Sequence, residues 1–297
     1  MSYRIDIQKK FQLEMKRIIT DQLSGVTSKI NDPEVEFDEK VHASRKHFKK
    51  VRAVWRLIRD DIDKRIYKSE NIFYRDLGRK LAAMREARVH LKTLKNIEED
   101  YTDEGSFSRI QMYLQERYDS EKQRVTQEHI LDQVTEQVEL GKQRLHHLQL
   151  SDEVFNAFEK GIQRVYKRGT EALEEAKKDT TYVNLHEWRK RVKYLWYHVR
   201  LLRNVWKPVL KGYEKSLDAL SDYLGDEHDL SELKELVNKN VRSDYPKETK
   251  QLTNILDEQR HILQQKAWSI GERIYTKPTK LFINKLDAYM ESQKHSS

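Results

Sequence analysis

The chain has 297 residues, 36% of them charged, and a net charge of +8 from 57 Lys and Arg against 49 Asp and Glu. It has no cysteine, which excludes disulfides and thiolate chemistry. No apolar run reaches signal-peptide or membrane-spanning length, so a soluble cytoplasmic protein is expected. With 9 Gly, 4 Pro and no proline between Pro33 and Pro208, turn residues are too scarce for a β protein. The basic balance favours acidic partners without naming one.

In chain order, the first predicted helix covers about 4–24, carried by Ile7, Phe11, Met15, Ile18 and Ile19 and ended by Gly25. Asn31-Asp32-Pro33 is a turn. A long helix over about 38–68 follows, then one over about 71–98 with Leu77, Leu81, Met84, Leu91 and Leu94 on one side. The acidic stretch from Glu98 to Gly105 reads as a loop, and a helical region over about 107–148 breaks near Gly141. Ser151 caps the next helix, about 152–177, with Asp152 and Glu153 at its positive end. Then come helices over about 182–206, closed by Lys207-Pro208, and about 209–242. The last covers about 247–295, opened by Pro246 and kinked at Pro278. The expected fold is all-α, one domain over 1–297 made of two similar helical halves, 1–150 and 151–297.

The halves are tied by a repeat. His42, Arg45, Lys49, Arg56 and Arg59 return 144 residues later as His186, Arg189, Lys193, Arg200 and Arg203. In the first copy Val41, Ser44, Phe48, Val51, Trp55 and Ile58 form a core-facing seam; in the second, Leu185, Trp188, Val192, Leu195, Val199 and Leu202 do. One residue further on, about 100° around each helix, runs a cationic stripe. It includes His42, Arg45, Lys49, Arg52 and Arg56 in one copy and His186, Arg189, Lys193 and Arg200 in the other, with Trp196 at the place of Arg52. Lys46 and Lys190 widen the two stripes.

The plain alternative is a solvated face beside a core seam. Solvated helices usually mix signs, because like charges at i,i+4 destabilise by roughly 0.2–0.5 kcal/mol a pair. From His42 through Arg59 there are seven Lys or Arg and no acid; from His186 through Arg203 there are six and only Glu187. An anion that screens the repulsion explains both. From His42 to Arg56 the stripe is about 21 Å long, which suits a linear polyanion gripped by arginine forks and lysine point charges.

Positions i+3 and i+4 from both histidines hold Arg45, Lys46, Arg189 and Lys190, so metal ligation is not expected, and no cofactor is implied. His146-His147 reads as surface. Weaker binding candidates are Lys50, Arg203, Arg88 in the row Arg85, Arg88, Lys92, Lys95, and the cluster Arg164, Lys167, Arg168. The row and the cluster each read first as a solvated face, able to line a groove only if the fold brings them to the stripes. Asp218, Asp222, Asp226, Glu227 and Asp229 read as an acidic counterpart packed near basic neighbours. Trp55 and Trp188 read as core, while Trp196, inside the stripe, either stacks on a ligand or plugs an interface.

These motifs resemble the CHAD family, the conserved-histidine α-helical domain, whose hallmark is His with Arg at +3 and Lys or Arg at +7, once in each half. Leu224-Gly225-Asp226-Glu227-His228-Asp229 and Arg273-Ile274-Tyr275-Thr276-Lys277-Pro278 are similar to further family segments. The resemblance implies two antiparallel, four-helix-bundle-like halves related by a pseudo-twofold axis. It also implies binding of inorganic polyphosphate along a basic surface or central channel, and association with polyphosphate granules. By motif match the ligand residues are His42, Arg45, Lys46, Lys49, Arg52, His186, Arg189, Lys190 and Lys193; Arg56 and Arg200 join them from the stripes. Trp196 and Val89 stand where the pattern has Arg and Asp, so the first stripe is expected to carry more of the charge. Many relatives are fused to a triphosphatase domain. The 41 residues before His42 are too few for one, and Glu34-Val35-Glu36-Phe37-Asp38 lacks its lysine, so binding without catalysis is expected. Nucleic acid is the alternative ligand, and an enzyme of phosphate metabolism a more distant reading.

Overall fold

Two apolar seams decide how this chain packs. In a computed structural model, which describes residues 3–101, 107–150 and 154–294, every seam residue of both copies is at most 3% exposed. The helices among the described residues are α1 Phe11–Asn31, α2 Phe37–Leu57, α3 Lys64–Lys80, α4 Ala82–Asp100, α5 Ser108–Gln127 and α6 Ile130–Arg144. They continue with α7 Val154–Lys178, α8 Tyr182–Leu201, α9 Lys207–Asn240, α10 Pro246–Ile274 and α11 Thr279–Lys294. The fold is all-α, and none of these helices is long and apolar enough to cross a membrane.

The seams of α2 and α8 lie in one large apolar cluster with Ile18 and Leu23 of α1, Tyr166 and Leu173 of α7, and the first turns of α9. Helices α2 and α7 approach so closely that a Cβ on Gly161 would sit 2.2 Å from the Leu57 carbonyl oxygen. A second, smaller cluster joins Leu94 and Ile97 of α4 and Ile110 of α5 to Leu233 and Val237 of α9 and Leu256 of α10. Helices α4 and α9 therefore run from one core to the other. Between the two cores their polar sides face α2 and α8.

Several boundaries differ from the sequence reading, each for a local reason. Helix α1 starts at Phe11 because residues 3–10 are held elsewhere: the Ile5 amide donates to the Leu201 carbonyl at 2.9 Å. Gly25 does not end α1; it lies inside, where a Cβ would meet the His47 ring at 2.5 Å. The expected 38–68 helix stops at Leu57, and Asp63 caps a new one by accepting from the Arg65 amide at 2.6 Å. The expected 71–98 helix is the end of α3 plus α4, divided at Leu81. Helix α4 runs through Asp100 into the stretch read as a loop, of which residues 102–106 lie outside the described residues.

The 107–148 region breaks at His129, in the left-handed conformation with φ 50°, rather than at Gly141, which packs inside α6 beneath Tyr74. The expected helix start at Ser151-Asp152-Glu153 lies outside the described residues. Pro208 opens α9 instead of closing its predecessor, as suits a residue whose missing N–H is not needed in a first turn. Pro278 separates α10 from α11 rather than kinking one helix.

Candidate functional site

The two motif helices cross. At the crossing the His198 Nε2–H donates to the Ala53 carbonyl at 3.0 Å, and the Arg56 guanidinium lies 3.6 Å from the centre of the Tyr194 ring. Towards their N-terminal ends α2 and α8 diverge, and α4 and α9 close the gap to leave a cavity of about 640 Å³. Helix α2 contributes His42, Arg45, Lys46 and Lys49; α8 contributes His186, Arg189, Lys193, Trp196 and Tyr197. The periodicity explains the arrangement: each apolar seam is buried to one side, which turns the neighbouring stripe to the shared space.

Among the described residues, Arg45, Lys49, Arg189 and Lys193 form no ion pair, and neither does Arg85, which α4 adds to the same cavity. Arg45 donates from Nη1 to the Gly78 carbonyl in the last turn of α3, and Lys193 donates to Ser221 Oγ at 2.7 Å. Arg189 Nε and Trp196 Nε1 are buried donors with no acceptor. Lys49 is exposed along part of its length and lines the cavity. Burial, then Arg189, Arg45, Lys193 and Arg85, push its ammonium down to about 7. Burial, seconded by Arg189, also lowers Lys193, against the pull of Asp222. These are the marks of cations crowded together, with acids near enough to act on them but none in ion-pair contact among the described residues.

The histidines are held neutral. Burial and the Arg85 charge lower His42; burial and Arg189 lower His186. His186 Nδ1 lies 3.4 Å from His228 Nδ1, Tyr182 stacks on His228, and the Tyr182 hydroxyl donates to Glu232 at 2.7 Å. Burial and Arg189 push His228 down to about 3. His186 thus sits in an aromatic and polar network rather than standing free in the stripe.

The opposite wall is acidic. Asp218, Asp222, Asp226 and Asp229 follow one face of α9 into the cavity, and none forms an ion pair with the cations across it among the described residues. Burial, reinforced by Asp226 and Glu232 against Arg189 and Arg85, pushes Asp229 up to about 6. Burial and Asp222 also raise Asp218 and Asp226. The cavity is polarised, with cations on α2, α4 and α8 and the carboxylate row on α9, and α4 adds Glu86, whose charge acts on Arg45.

Not every candidate reaches this cavity. Arg52 turns to Asn71 Oδ1 at 3.1 Å on α3, and Arg56 is taken up by the helix crossing. Lys190 pairs with Glu187, which also holds Arg191. Arg88 pairs with Asp38 at 2.8 Å, Arg164 with Asp60 at 2.5 Å and Lys167 with Glu171 at 3.8 Å. Arg168 lies on a shallow surface beside Glu175 and Arg191. Lys50, Arg200 and Arg203 gather beyond the Trp196 end of the cavity, the last two on Glu214. Trp196 is 5% exposed, with Lys193 4.4 Å and Arg200 5.4 Å from its ring, so it is wall and not a stacking platform. His90, with Nδ1 unpartnered among the described residues, and His228 also line the cavity; the sequence shows His228 only within the segment 224–229 and gives no signal for His90. Arg85 was visible as part of a basic row, but only the fold separates it from Arg88.

A family model described as CHAD domain matches residues 19–238, well over half of the chain. Among solved structures, the crystal structure of the CHAD domain from the plant Ricinus communis is similar to this one. It is 13% identical, over 98% of this chain and 93% of that one, with a TM-score of 0.58. No curated protein matches the sequence.

Proposed function

We propose that this chain, which belongs to the CHAD family, binds inorganic polyphosphate in the cavity between α2 and α8 and does so without chemical turnover. The family is linked to polyphosphate binding in general. The observation that supports this site for it is the convergence of Arg45, Lys49, Arg85, Arg189 and Lys193 without ion pairs, with Arg189 Nε still lacking an acceptor. A phosphate run supplies what this wall lacks: closely spaced negative charge and acceptors for several donors at once. On this reading His42 and His186 act as neutral walls that set the width of the cavity and as donors once a phosphate approaches. Where a cell stores the polymer in granules, the protein would sit on them.

The test is binding of long-chain polyphosphate by isothermal titration at two or more salt concentrations. Affinity falls steeply with salt, because each neutralised phosphate releases counter-ions. Replacing Arg189 and Lys193 together by Gln weakens binding at least tenfold. Equal affinity in that double variant would sink the cavity assignment, and release of orthophosphate by the wild-type chain would overturn the non-enzymatic reading.

A further inference from the structure

The cationic lining does not stop at the cavity rim. At its Trp196 end, Lys46 lies on the rim, Lys50 follows one turn later on α2, and Arg200 follows Trp196 by one turn on α8. Lys193 and Arg200 both approach the same indole, one from inside the cavity and one from outside. The N-terminal segment adds a further charge. Tyr3 donates its hydroxyl to the Lys50 carbonyl at 2.9 Å and meets Tyr197, a cavity residue, edge-on. The Ile5 amide bonds Leu201, the Asn204 side chain donates to the Ile5 carbonyl at 3.2 Å, and Arg17 donates to the Arg4 carbonyl at 2.9 Å. Residue 4 is therefore fixed beside the end of α8, where burial and Arg203, seconded by Arg200, lower its guanidinium against the pull of Glu214.

This patch is not balanced. Its carboxylate is Glu214, 3.7 Å from Arg200 and 3.0 Å from Arg203. Lys46, Lys50 and Arg4 form no ion pair among the described residues. Burial, Arg200 and Lys46 push Lys50 down to about 8. At the crossing, Arg56 of α2 has a close aromatic neighbour in Tyr194; the residue 144 positions before Tyr194 is Lys50, so Arg200, the counterpart of Arg56, meets a cation where Arg56 meets a ring. One side of the crossing is sealed by Arg56 packed tightly on a ring; on the other, Lys50 lies 5.4 Å from the Tyr3 ring and Arg200 5.4 Å from the Trp196 ring, and the two like charges repel each other.

We propose that a polyphosphate chain seated in the cavity leaves it past Trp196 onto an exit subsite made by Lys46, Lys50, Arg200 and Arg4, so that this protein discriminates in favour of long chains. The proposal rests on the cavity being the polyphosphate site. It assigns a ligand role to Arg4, which lies before the residues matched by the family model. A short oligophosphate fills the cavity alone, whereas a long one continues over the rim and neutralises the second patch.

The experiment compares tripolyphosphate with long-chain polyphosphate by isothermal titration, using the wild-type chain and the double variant Arg4→Gln, Lys50→Gln. Both positions are partly exposed, and the Tyr3 hydroxyl bonds the Lys50 backbone, so the fold keeps its contacts. Long-chain affinity is expected to drop about tenfold, and the slope of its logarithm against log salt to shrink by about one to two. Tripolyphosphate affinity stays within about twofold of the wild type, on the same reasoning about which phosphates are neutralised. Arg4→Lys with Lys50→Arg restores the long-chain value. Unchanged long-chain binding, or an equal loss for both ligands, overturns the exit subsite while leaving the cavity reading intact. Failure of the wild-type chain to bind either ligand overturns the cavity reading and the exit with it.

Discussion

Lys49 makes polyphosphate binding a proton-linked event. Burial, then Arg189, Arg45, Lys193 and Arg85, bring its pKa from 10.5 to about 7. It is then about half charged at pH 7 and about one-tenth charged at pH 8. A phosphate beside it reverses the repulsion and returns the pKa towards its ordinary value. Binding therefore takes up about half a proton at pH 7 and about 0.9 at pH 8, and the association constant rises about fivefold as pH falls from 8 to 7. Below pH 7 the Lys49 contribution levels off. A second rise is expected as Asp229, pushed up to about 6, takes its proton and stops repelling the ligand. Both groups act in the same direction: lower pH gains a positive charge on one wall and loses a negative one on the other. Titration calorimetry in buffers of differing ionisation enthalpy measures the uptake directly. Lys49→Arg, which stays charged throughout, should bind with no uptake between pH 7 and 8 and a flat affinity there. A wild-type chain without proton uptake, or an arginine variant that keeps the full slope, would refute the reasoning.

The same depressed pKa carries a penalty in the unliganded protein, because the folded state holds this proton less tightly than the unfolded one. That penalty appears as pH falls from 10.5 towards about 7 and is complete below it. Lys49→Met is thus expected to raise the Tm of the ligand-free protein at pH 6.5 while weakening polyphosphate binding; a lower Tm would argue against an unrelieved charge. Asp222→Asn with Asp226→Asn should tighten polyphosphate about fivefold to thirtyfold, from roughly 0.5–1 kcal/mol of repulsion removed per carboxylate. An unchanged or weaker affinity in titration would show that the acidic wall is not a barrier to the ligand. Gly161→Ala must part α2 from α7, at a cost of about 1–3 kcal/mol, read as a drop of several degrees in a thermal melt; a Tm unchanged within a degree would contradict so close an approach. In a competition assay polyphosphate should displace a single-stranded oligonucleotide much more readily than the reverse, since the Trp196 ring is covered and offers no face for base stacking.

What the sequence made legible is the part written in periodicity. The two seams, from Val41 to Ile58 and from Leu185 to Leu202, are buried throughout, because a 3–4 spacing of apolar residues over five turns has one way to hide. The breaks were less legible because they are made by few atoms. Asp63 restarts a helix with one side-chain oxygen, and His129 turns the chain with one left-handed residue. Gly25 and Gly141 read as terminators because a sequence does not show whether a glycine ends a helix or lets a neighbour come close. Here a His47 ring and a Tyr74 hydroxyl supply the second reason.

The site divides along the same line. A stripe drawn on a straight helix predicts which residues share a face, and His42, Arg45 and Lys49 do share one. It says nothing of where a second helix will cross, and the crossing decides that Arg56 meets Tyr194 and Arg52 meets Asn71 while Lys49 stays in the cavity. Single acids decide the rest: Glu187 draws off Lys190, and Asp38 draws off Arg88, one turn from the unpaired Arg85. The fourth wall is the least legible element of all. An aspartate row on α9 has the composition of a partner for the stripes, yet among the described residues it closes no ion pair with them. If the two rows were ion-paired, the cations would already be satisfied and the lowering of Lys49 towards 7 would be opposed. Helix α9 touches the cations through Ser221, which lies between Asp218 and Asp222 and accepts from Lys193, so it is the lack of ion pairing among the described residues, and not the number of charges, that keeps the site able to take an anion.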